Sequence, residues 1–403
     1  MPRVVITGIG VISALGLTRD CFWQGLVAGR CGIRAVDSPD FEEIRFKHAA
    51  NVEGFDPERY LPAKDIALMD RFTQFGVVAT QEAMAQARLE LTQAMREDGA
   101  IITGSCIGGR SAEEQGYREL YIHKRNRVHP LTIPLGMSNA ATSHISMQFG
   151  MQGPAYTIST ACASSAHAIG QAFHMVRSGA APMALAGGTE APLYFGNLKA
   201  WEAMRVISKD TCRPFSADRS GMVLGEGAAM LVLEPLEAAL ARGAKPIAEI
   251  VGFGMSADAG HITQPCPEGP ARAMRMALRD AGLAPEQIGY INAHGTATDA
   301  NDRTETAAIR LTFGAHADKL AVSSTKSMHA HTLGAAGAIE AAASALALAS
   351  GILPPTANYT TPDPACDLDI IPNTARTVQV EHCLSNSFAF GGLNAVLALR
   401  AIS

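Results

Sequence analysis

The sequence predicts an α/β protein of two similar halves, in which helices cover both faces of a mostly parallel sheet. Short apolar runs typical of buried strands alternate with segments of helical periodicity. The pattern restarts after Lys245, where residues 246–254 resemble residues 4–10. At 403 residues the chain also exceeds the size at which one hydrophobic core stops growing. We therefore predict halves of residues 1–245 and 246–403, packed as one body because no linker-like tract separates them.

Strands and helices of the first half follow each other in a regular order. The patterns predict strands at 4–13, 99–105, 183–190 and 228–234, and helices at 18–28, 69–87, 137–150 and 162–177. Gly8 and Gly10 resemble half of a dinucleotide-binding fingerprint. The third glycine and the acidic residue of that fingerprint are missing, which argues against a nucleotide-binding dehydrogenase.

A cysteine stands at the bend between a strand-like run and a helical pattern. The run Thr157–Cys162 ends in small residues, which leave a bulky substrate access to the Cys162 sulfur. The positive end of the helix favours a thiolate, but at about 0.3–1 kcal/mol it lowers a thiol pKa by less than about one unit. A nucleophile therefore needs a basic or cationic partner from elsewhere in the chain. The alternative is a buried structural cysteine.

The second half carries three more strand ends with reactive side chains. Strands are predicted at 246–254 and 288–294, with a helix at 271–280 between them. The motifs are His294-Gly295-Thr296-Ala297-Thr298, the run from Ser323 to His331 before an Ala-rich helix at 333–350, and the glycine-rich turn at 385–392. In a doubly wound sheet such ends meet at one edge, where ligands bind. One thiol, two histidines and a lysine at these ends predict a catalytic site.

Each motif also has a non-catalytic interpretation. A lone histidine after a strand is more often a satisfied polar residue than a catalyst, and Gly391-Gly392 is also typical of a simple turn. His329 and His331 have no carboxylate or third histidine at ligand spacing, which argues against a metal site. The combination of motifs, rather than any single one, favours catalysis.

Composition narrows the class of protein. The chain is 47% hydrophobic and 18% charged, as expected of a globular enzyme, and its net charge of −5 argues against bulk nucleic-acid binding. The eight cysteines include no Cys-x-x-Cys pair, which favours a reducing, cytoplasmic compartment. The residues after Met1 do not resemble a signal peptide, and no apolar run predicts a membrane span.

The four motifs together resemble one family. They are Thr160–Ser165, His294–Thr298, Lys326–Gly337 and Asn386–Gly392, and they occur in the family's order. The chain resembles, over almost its whole length, a β-ketoacyl-[acyl-carrier-protein] synthase of the KAS II type. The resemblance implies a thiolase-like duplicated fold with five layers α-β-α-β-α, active as a homodimer. The segment 198–205 looks more like the nodulation-type and specialised polyene or polyketide branch.

The resemblance also implies a reaction and its residues. An acyl group held on Cys162 condenses, with loss of CO₂, with malonyl on acyl carrier protein to give β-ketoacyl carrier protein. The implied catalytic residues are Cys162, His294, His331 and Lys326, with backbone N–H groups of Cys162 and Phe390 as the oxyanion hole and Asp302, Glu305 and Glu340 in support. No metal or redox cofactor is implied, since phosphopantetheine arrives on the carrier. Which histidine acts on the departing carboxylate, and whether a structural monovalent cation binds, stay open.

Substrate-contacting residues are assigned by the same resemblance. Thr296 and Thr298 match the threonines that bind the pantetheine arm. The acyl pocket and its gate match Ile107, Thr132, Ile133, Trp201, Met204 and Phe390. An acidic enzyme needs a local basic patch for an acidic carrier protein, and the candidates are Lys64, Lys124, Arg125, Arg127 and Arg205. A short charge run is also typical of an ordinary solvated face.

The chain departs from the family pattern at several positions. His329-Ala330 stands where Thr or Gly is common, Ala389 replaces the glycine before the gating Phe390, and Asp299 and Leu393 replace proline and threonine. We expect Ala389 to stiffen the gate, because a methyl group excludes much of glycine's φ range.

Two relatives of the same fold are alternatives. A non-catalytic chain-length-factor partner would lack Cys162, although a heterodimer with such a partner is open. A degradative thiolase would use a second cysteine near the C-terminus, and Cys383 lies before the turn.

Overall fold

The computed structural model describes residues 2–402. Its strands are β1 (Val4–Ile12), β2 (Arg34–Ala35), β3 (His48–Ala49), β4 (Ala100–Gly104), β5 (Ala155–Ile158), β6 (Ala184–Glu190), β7 (Gly227–Pro235), β8 (Ala248–Ala257), β9 (Ile288–Asn292), β10 (Ala321–Ser323), β11 (Ile352–Leu353), β12 (Arg376–Thr377), β13 (His382–Ala389) and β14 (Leu393–Ala401). Its helices are α1 (Arg19–Val27), α2 (Ala63–Ile66), α3 (Arg71–Ala87), α4 (Gln93–Asp98), α5 (Arg110–Tyr121), α6 (Thr132–Gly136), α7 (Ala140–Phe149), α8 (Ser164–Ser178), α9 (Phe195–Met204), α10 (Leu236–Ala241), α11 (Glu268–Ala281), α12 (Asp299–Phe313), α13 (Lys326–His329) and α14 (Ala336–Ser350).

Helix ends follow local sequence signals. Asp70 caps α3 by accepting from the Phe72 N–H, and Thr298 caps α12 by accepting from the Asn301 N–H. At the C-terminal ends of α8 and α14, Gly179 and Gly351 adopt left-handed backbone angles that glycine tolerates without strain. These signals explain why the predicted helices agree with the observed ones to within a few residues.

Ten strands form one sheet in the order β10-β9-β13-β14-β8-β1-β7-β6-β4-β5. The prediction of a mostly parallel sheet is wrong, because four neighbouring pairs are parallel and five are antiparallel. Strand β14, which the sequence patterns did not predict, follows β13 after a tight turn at residues 390–392 and must therefore run antiparallel to it. The sheet is mixed, with parallel pairs towards both ends.

Alternating side chains on the strands separate the layers. On β7, Leu231 and Leu233 pack in the core shared with α8 and α14, whereas Met230 and Val232 pack towards α3 and α7. On β14, Leu397 likewise faces the α8 and α14 core and Val396 faces α11. Helices α8 and α14 therefore lie between the two five-stranded halves of the sheet, and the order is α-β-α-β-α, as predicted. The boundary at residue 245 stays a prediction.

The central layer contains the most apolar helical segment of the described residues. Leu333–Ser350 is long and apolar enough to cross a membrane, but 89% of it is buried inside the protein. Its small residues, mainly alanine, allow α14 to pack against α8 and both halves of the sheet. Its apolar character is thus explained by its place in the core.

Candidate active site

Cys162 lies on a sharp elbow between β5 and α8. Ala161 adopts a left-handed φ of 48°, so the chain reverses direction immediately before the cysteine. Helix α8 begins at Ser164 rather than at Cys162, which places the sulfur just outside the first helical turn. The Cys162 side chain is buried, at 7% exposure. The elbow therefore presents a buried thiol just before a helix that begins two residues later in the chain than predicted.

Glycines in the sheet allow this helix to approach closely. A Cβ on Gly104 of β4 would lie 2.2 Å from the Ser165 nitrogen, and one on Gly188 of β6 would lie 2.5 Å from the Ser165 Cβ. Both distances are shorter than real contacts, so only glycine fits at these two positions. Because Gly104 and Gly188 lack side chains, the start of α8, and Cys162 with it, can lie close to the sheet.

Two histidines from the other half of the chain face the sulfur. Ligating atoms of Cys162, His294 and His331 all lie within 4.8 Å of one another. The two imidazole rings are perpendicular, with centroids 5.3 Å apart. His294 follows β9 and His331 follows α13, so residues far apart in sequence meet where strands of both halves end.

Hydrogen bonds assign the tautomer of each imidazole. The Leu333 N–H donates to His331 Nδ1 over 3.2 Å, so the proton of the neutral ring lies on Nε2. The Lys326 ammonium, which has no acceptor atom, lies 3.3 Å from His294 Nδ1 and places that proton on Nε2 as well. Burial lowers the pKa of both histidines well below the usual value, and the Lys326 charge lowers them further. The site therefore holds two neutral N–H donors.

Lys326 forms a buried ion pair behind these histidines. Its ammonium contacts Glu340 on α14, and both side chains are fully buried. Burial raises the pKa of the Glu340 carboxyl to about 7, and the Lys326 charge opposes that shift. A buried charge without its partner is strongly destabilising, so each of these residues requires the other.

Glu305 and Asp302 on α12 hold the turn that carries His294. Glu305 accepts from the backbone N–H groups of His294 and Gly295, each over 2.8 Å, and from the Asn386 amide over 3.1 Å. Asp302 accepts from the Phe215 N–H over 2.7 Å, and burial raises its pKa to about 7. These carboxylates orient the backbone and do not reach the sulfur.

Burial dominates the state of the nucleophile. It raises the pKa of the Cys162 thiol to about 12, while the Lys326 charge and the backbone N–H groups of Phe390 and Cys162 lower it. The resting group is therefore a thiol. The same two N–H groups are donors for negative charge developing beside the sulfur.

A cleft of about 620 Å³, part of it open to solvent, leads to Cys162, His294 and His331. Thr296 and Thr298 line it, with hydroxyl oxygens 2.8 Å apart. Trp201 and Phe390 also line it, with rings nearly parallel and centroids 6.2 Å apart. The cleft thus joins the predicted arm-binding threonines to the nucleophile.

Other residues predicted for the acyl pocket lie outside this cleft. The cleft does not include Ile107, Thr132, Ile133 or Met204. Ile133 is 67% exposed and Met204 is 41% exposed, so a single copy of the chain does not enclose them. Their assignment to the acyl pocket stays a prediction.

The predicted basic patch is solvent-accessible throughout. Its five side chains are all exposed, namely Lys64, Lys124, Arg125, Arg127 and Arg205. Arg125 forms an ion pair with Glu119 over 2.6 Å. Arg205 directly follows α9, the helix that brings Trp201 to the cleft.

One segment of the cleft was missed by sequence reasoning. Asp258 and residues 261–265 follow β8 and line the cleft, and the Ile262 carbonyl accepts from the Gly391 N–H over 2.8 Å. The segment carries no recognisable motif. The only available signal was its position after a predicted strand of the second half.

Two of the positions that depart from the family pattern, Ala389 and Asp299, have ordinary local structure. Ala389 ends β13 with an ordinary negative φ, and the left-handed angles fall on Gly391 and Gly392. Asp299 opens α12 and accepts from Arg219 over 2.9 Å. Whether Ala389 stiffens the gate stays a prediction.

One group of residues has ligating atoms close enough to hold a metal ion, namely the Cys162, His294 and His331 cluster already described. Separately, buried side-chain oxygens without a hydrogen-bond partner among the described residues lie on Asn292, Glu340, Asn386 and Ser387. Whether a structural monovalent cation binds stays open.

Acyl transfer to a thiol, followed by stabilisation of negative charge on a second thioester, is the chemistry that these groups support. The sulfur has two backbone N–H donors beside it, and two imidazole N–H donors face it across the cleft. In a duplicated five-layer fold, this arrangement defines a condensing acyltransferase.

Comparisons with known proteins agree with that class. The family model "Beta-ketoacyl synthase, N-terminal domain" matches residues 1–239, and "Beta-ketoacyl synthase, C-terminal domain" matches residues 247–360. Nodulation protein E of Rhizobium sp. (strain N33) is 48% identical over 400 residues, covering 99% of each chain. The 3-oxoacyl-[acyl-carrier-protein] synthase 2 of Synechocystis sp. is 43% identical over 99% of this chain and 98% of its own. The structure of the ishigamide ketosynthase/chain length factor superimposes with a TM-score of 0.95, 37% identity and full coverage of both chains.

The chain therefore belongs to the β-ketoacyl synthase family. It is an acyltransferase that condenses an acyl thioester with malonyl carrier protein. The predicted resemblance to KAS II-type condensing enzymes, and to the nodulation branch, is confirmed.

Proposed function

We propose that Cys162 carries the growing acyl chain. Its sulfur attacks the carbonyl carbon of an acyl carrier thioester, a new C–S bond forms, and the carrier sulfur leaves with the proton that Cys162 gives up. The backbone N–H groups of Cys162 and Phe390 bind the oxyanion of this step. Support comes from the effect of these two N–H groups on the thiol and from the access that the cleft provides.

Decarboxylation is assigned to the two histidines. When malonyl carrier protein loses CO₂, the electron pair of the broken C–C bond delocalises onto the thioester oxygen. The Nε2–H groups of His294 and His331 donate to that oxygen, because both Nδ1 atoms already accept hydrogen bonds. The carbanion then attacks the carbonyl carbon of the Cys162 thioester, a new C–C bond forms and the C–S bond breaks, and the released Cys162 thiolate takes a proton from water.

The catalytic step is proposed to need no metal or redox cofactor. To bind a metal through Nε2, each imidazole would have to move its proton to Nδ1. A proton on Nδ1 would point at the Leu333 N–H in the case of His331, and at the Lys326 ammonium in the case of His294. The donor geometry thus favours hydrogen bonding to substrate over coordination.

Acyl carrier protein is the proposed delivery partner. The phosphopantetheine arm would lie along Thr296 and Thr298, which line the cleft that leads to the sulfur. Arg205, next to α9, and the exposed bases of the basic patch would attract an acidic carrier.

A homodimer is the proposed assembly. Strand β5 lies at the end of the sheet with one edge unpaired, and Tyr156 on it is 41% exposed. Large apolar side chains on the adjoining helices are also exposed, namely Tyr117, Tyr121, Ile122, Ile133, Met137 and Met147. A second copy, or a chain-length-factor partner, would cover this face and enclose Ile133.

The physiological setting is proposed from composition and relatives. All eight cysteines are free, which fits a reducing cytoplasm. The similarity to nodulation protein E and to a KAS II enzyme supports acyl chain elongation in a fatty-acid or specialised pathway.

The main support for the proposal is that the Cys162 sulfur and the imidazoles of His294 and His331 lie together. A Cys162→Ala variant tests it. The wild type, incubated with acyl carrier protein, should gain the mass of one acyl group on Cys162 and then condense with malonyl carrier protein. The variant should lose acylation and condensation. Cys212→Ala, which removes another buried cysteine, is the matched control and should retain both. Normal condensation by Cys162→Ala would refute the proposal.

A further inference from the structure

The spacing between Lys326 and His331 is set by one short turn. Helix α13 begins at Lys326 and ends at His329, and Ala330 links it to the catalytic histidine. The His331 N–H donates to the Val223 carbonyl over 2.9 Å, which anchors the far side of the link. Any rotation of the Ala330 peptide would therefore swing the His331 ring relative to the sulfur.

Ala330 has a backbone conformation that normally requires glycine. Its φ is 59° and its ψ is −170°, a region that is almost restricted to glycine because a Cβ clashes there. The residue is fully buried, and its N–H donates to the Lys326 carbonyl over 2.9 Å. A strained residue of this kind persists only when its surroundings hold it in place.

The His329 ring supplies that restraint. Its Nδ1 lies 2.8 Å from the Ala330 carbonyl oxygen, and its Nε2 lies 3.0 Å from the Thr325 hydroxyl. A carbonyl can only accept, so Nδ1–H donates and Nε2 accepts from Thr325. One buried ring thus ties the residue before Lys326 to the residue before His331.

A shorter side chain could not make this connection. A threonine at position 329 would have one hydroxyl close to its own backbone, so it could not reach both partners at once. A glycine at position 330 would adopt the same angles without strain. His329 and Ala330 therefore form a matched pair, in which the ring compensates for the methyl group.

We propose that His329 is a positioning residue, which holds the strained Ala330 peptide so that His331 Nε2–H stays aimed at the substrate oxygen. This inference rests on the proposed function. It predicts a defect confined to the decarboxylation step, because acyl transfer to Cys162 uses backbone N–H groups.

Four proteins test the pair: wild type, His329→Thr, Ala330→Gly and the double variant. His329→Thr should lower the rate of malonyl decarboxylation about 10- to 100-fold, as expected for a small misplacement of a catalytic group. The KM for malonyl carrier protein and the rate of Cys162 acylation should stay within about threefold of wild type. The double variant should recover most of the lost rate, and Ala330→Gly alone should resemble wild type.

Melting temperatures give a readout that does not depend on activity. Ala330→Gly should raise the melting temperature more in the His329→Thr background than in the wild type. In that background the His329 ring no longer holds the strained Ala330 backbone, and glycine removes the strain. His382→Thr, at the opposite end of β13 from the gate, is the matched control for loss of a buried histidine. It should lower the melting temperature without slowing malonyl decarboxylation more than acylation of Cys162.

The possible failures are distinguishable. An inactive wild type would overturn the proposed function and this role with it. An active wild type, with a His329→Thr variant that decarboxylates normally or that slows both half-reactions equally, would overturn the positioning role alone. Additive effects of the two substitutions would overturn the pairing of His329 with Ala330.

Discussion

The Cys162 thiol is governed by its environment more than by the helix beside it. Burial raises its pKa to about 12, an effect larger than the opposing contributions of Lys326 and the two backbone N–H groups. The helix was expected to shift a thiol pKa by less than about one unit. The resting sulfur is therefore protonated at neutral pH.

This state predicts a specific pH dependence of alkylation. The thiolate is the reactive form, so a raised pKa means that reactivity grows about tenfold per pH unit until the pKa is reached. The rate of Cys162 modification by iodoacetamide, followed by peptide mass, should still rise between pH 8 and about 9.5. The exposed Cys21 provides an internal reference in the same protein. A plateau below pH 8 would contradict the predicted state.

Lys326 acts through its neighbours. It contacts Glu340 on one side and His294 Nδ1 on the other, and is fully buried. Burial lowers the pKa of both imidazoles, the Lys326 charge lowers it further, and both rings are therefore neutral. The ammonium also keeps the proton of His294 on Nε2, on the cleft side.

At the scale of elements, the position of α8 depends on glycines beneath it. Gly104 and Gly188 belong to neighbouring strands and both face Ser165 in the first turn of α8. A larger residue would push the start of the helix away from the sheet. The elbow at Cys162 would move with it, since only Ala163 separates the cysteine from the helix.

A Gly104→Ala variant should therefore lose both stability and acylation. We expect the free energy of unfolding, measured in urea, to fall by about 1–3 kcal/mol, as is usual for an extra methyl group in a packed core. Acylation of Cys162 should slow in parallel. Gly260→Ala is the control for stability, because its Cβ would meet no atom within 4 Å. An equal change in the free energy of unfolding of the two variants would show that α8 does not depend on this contact.

At the scale of the whole molecule, the two halves divide the chemistry between them. The first half supplies the nucleophile, and the second supplies both histidines and the lysine. Strands β1 and β8 join the halves edge to edge, and α8 packs against α14 in the layer between them. Neither half alone contains a complete set of catalytic groups.

The exposed end of the sheet makes a prediction about assembly. An unpaired, partly apolar strand edge favours association with another chain. Light scattering after size exclusion should show a dimer for the wild type and a larger monomer fraction for Tyr156→Asp. Leu240→Asp, at another exposed apolar residue, should leave the dimer intact. A monomeric wild type would contradict the proposed homodimer.

Local signals in the sequence predicted many of the strands and helices and the reactive groups. Apolar periodicity predicted the strands before Cys162 and His294 and the helix after Cys162, because burial of a face leaves a repeat in the chain. The motifs at their ends predicted which side chains carry the chemistry. Apolar periodicity does not predict strand direction, so it did not reveal that the sheet is mixed. For β14, the only signal of direction is the tight turn that precedes it.

By itself, the sequence determined the family and the reaction and predicted the candidate catalytic residues, because each of these depends on motifs of residue types at short spacings. Only the tertiary structure decided the tautomers of the histidines, the raised pKa of the thiol and the contacts of the His329 ring. It also showed that Asp258 and residues 261–265 line the cleft and that Ile133 does not. These properties arise from burial and from contacts between distant segments, and neither leaves a periodic or local trace in the chain.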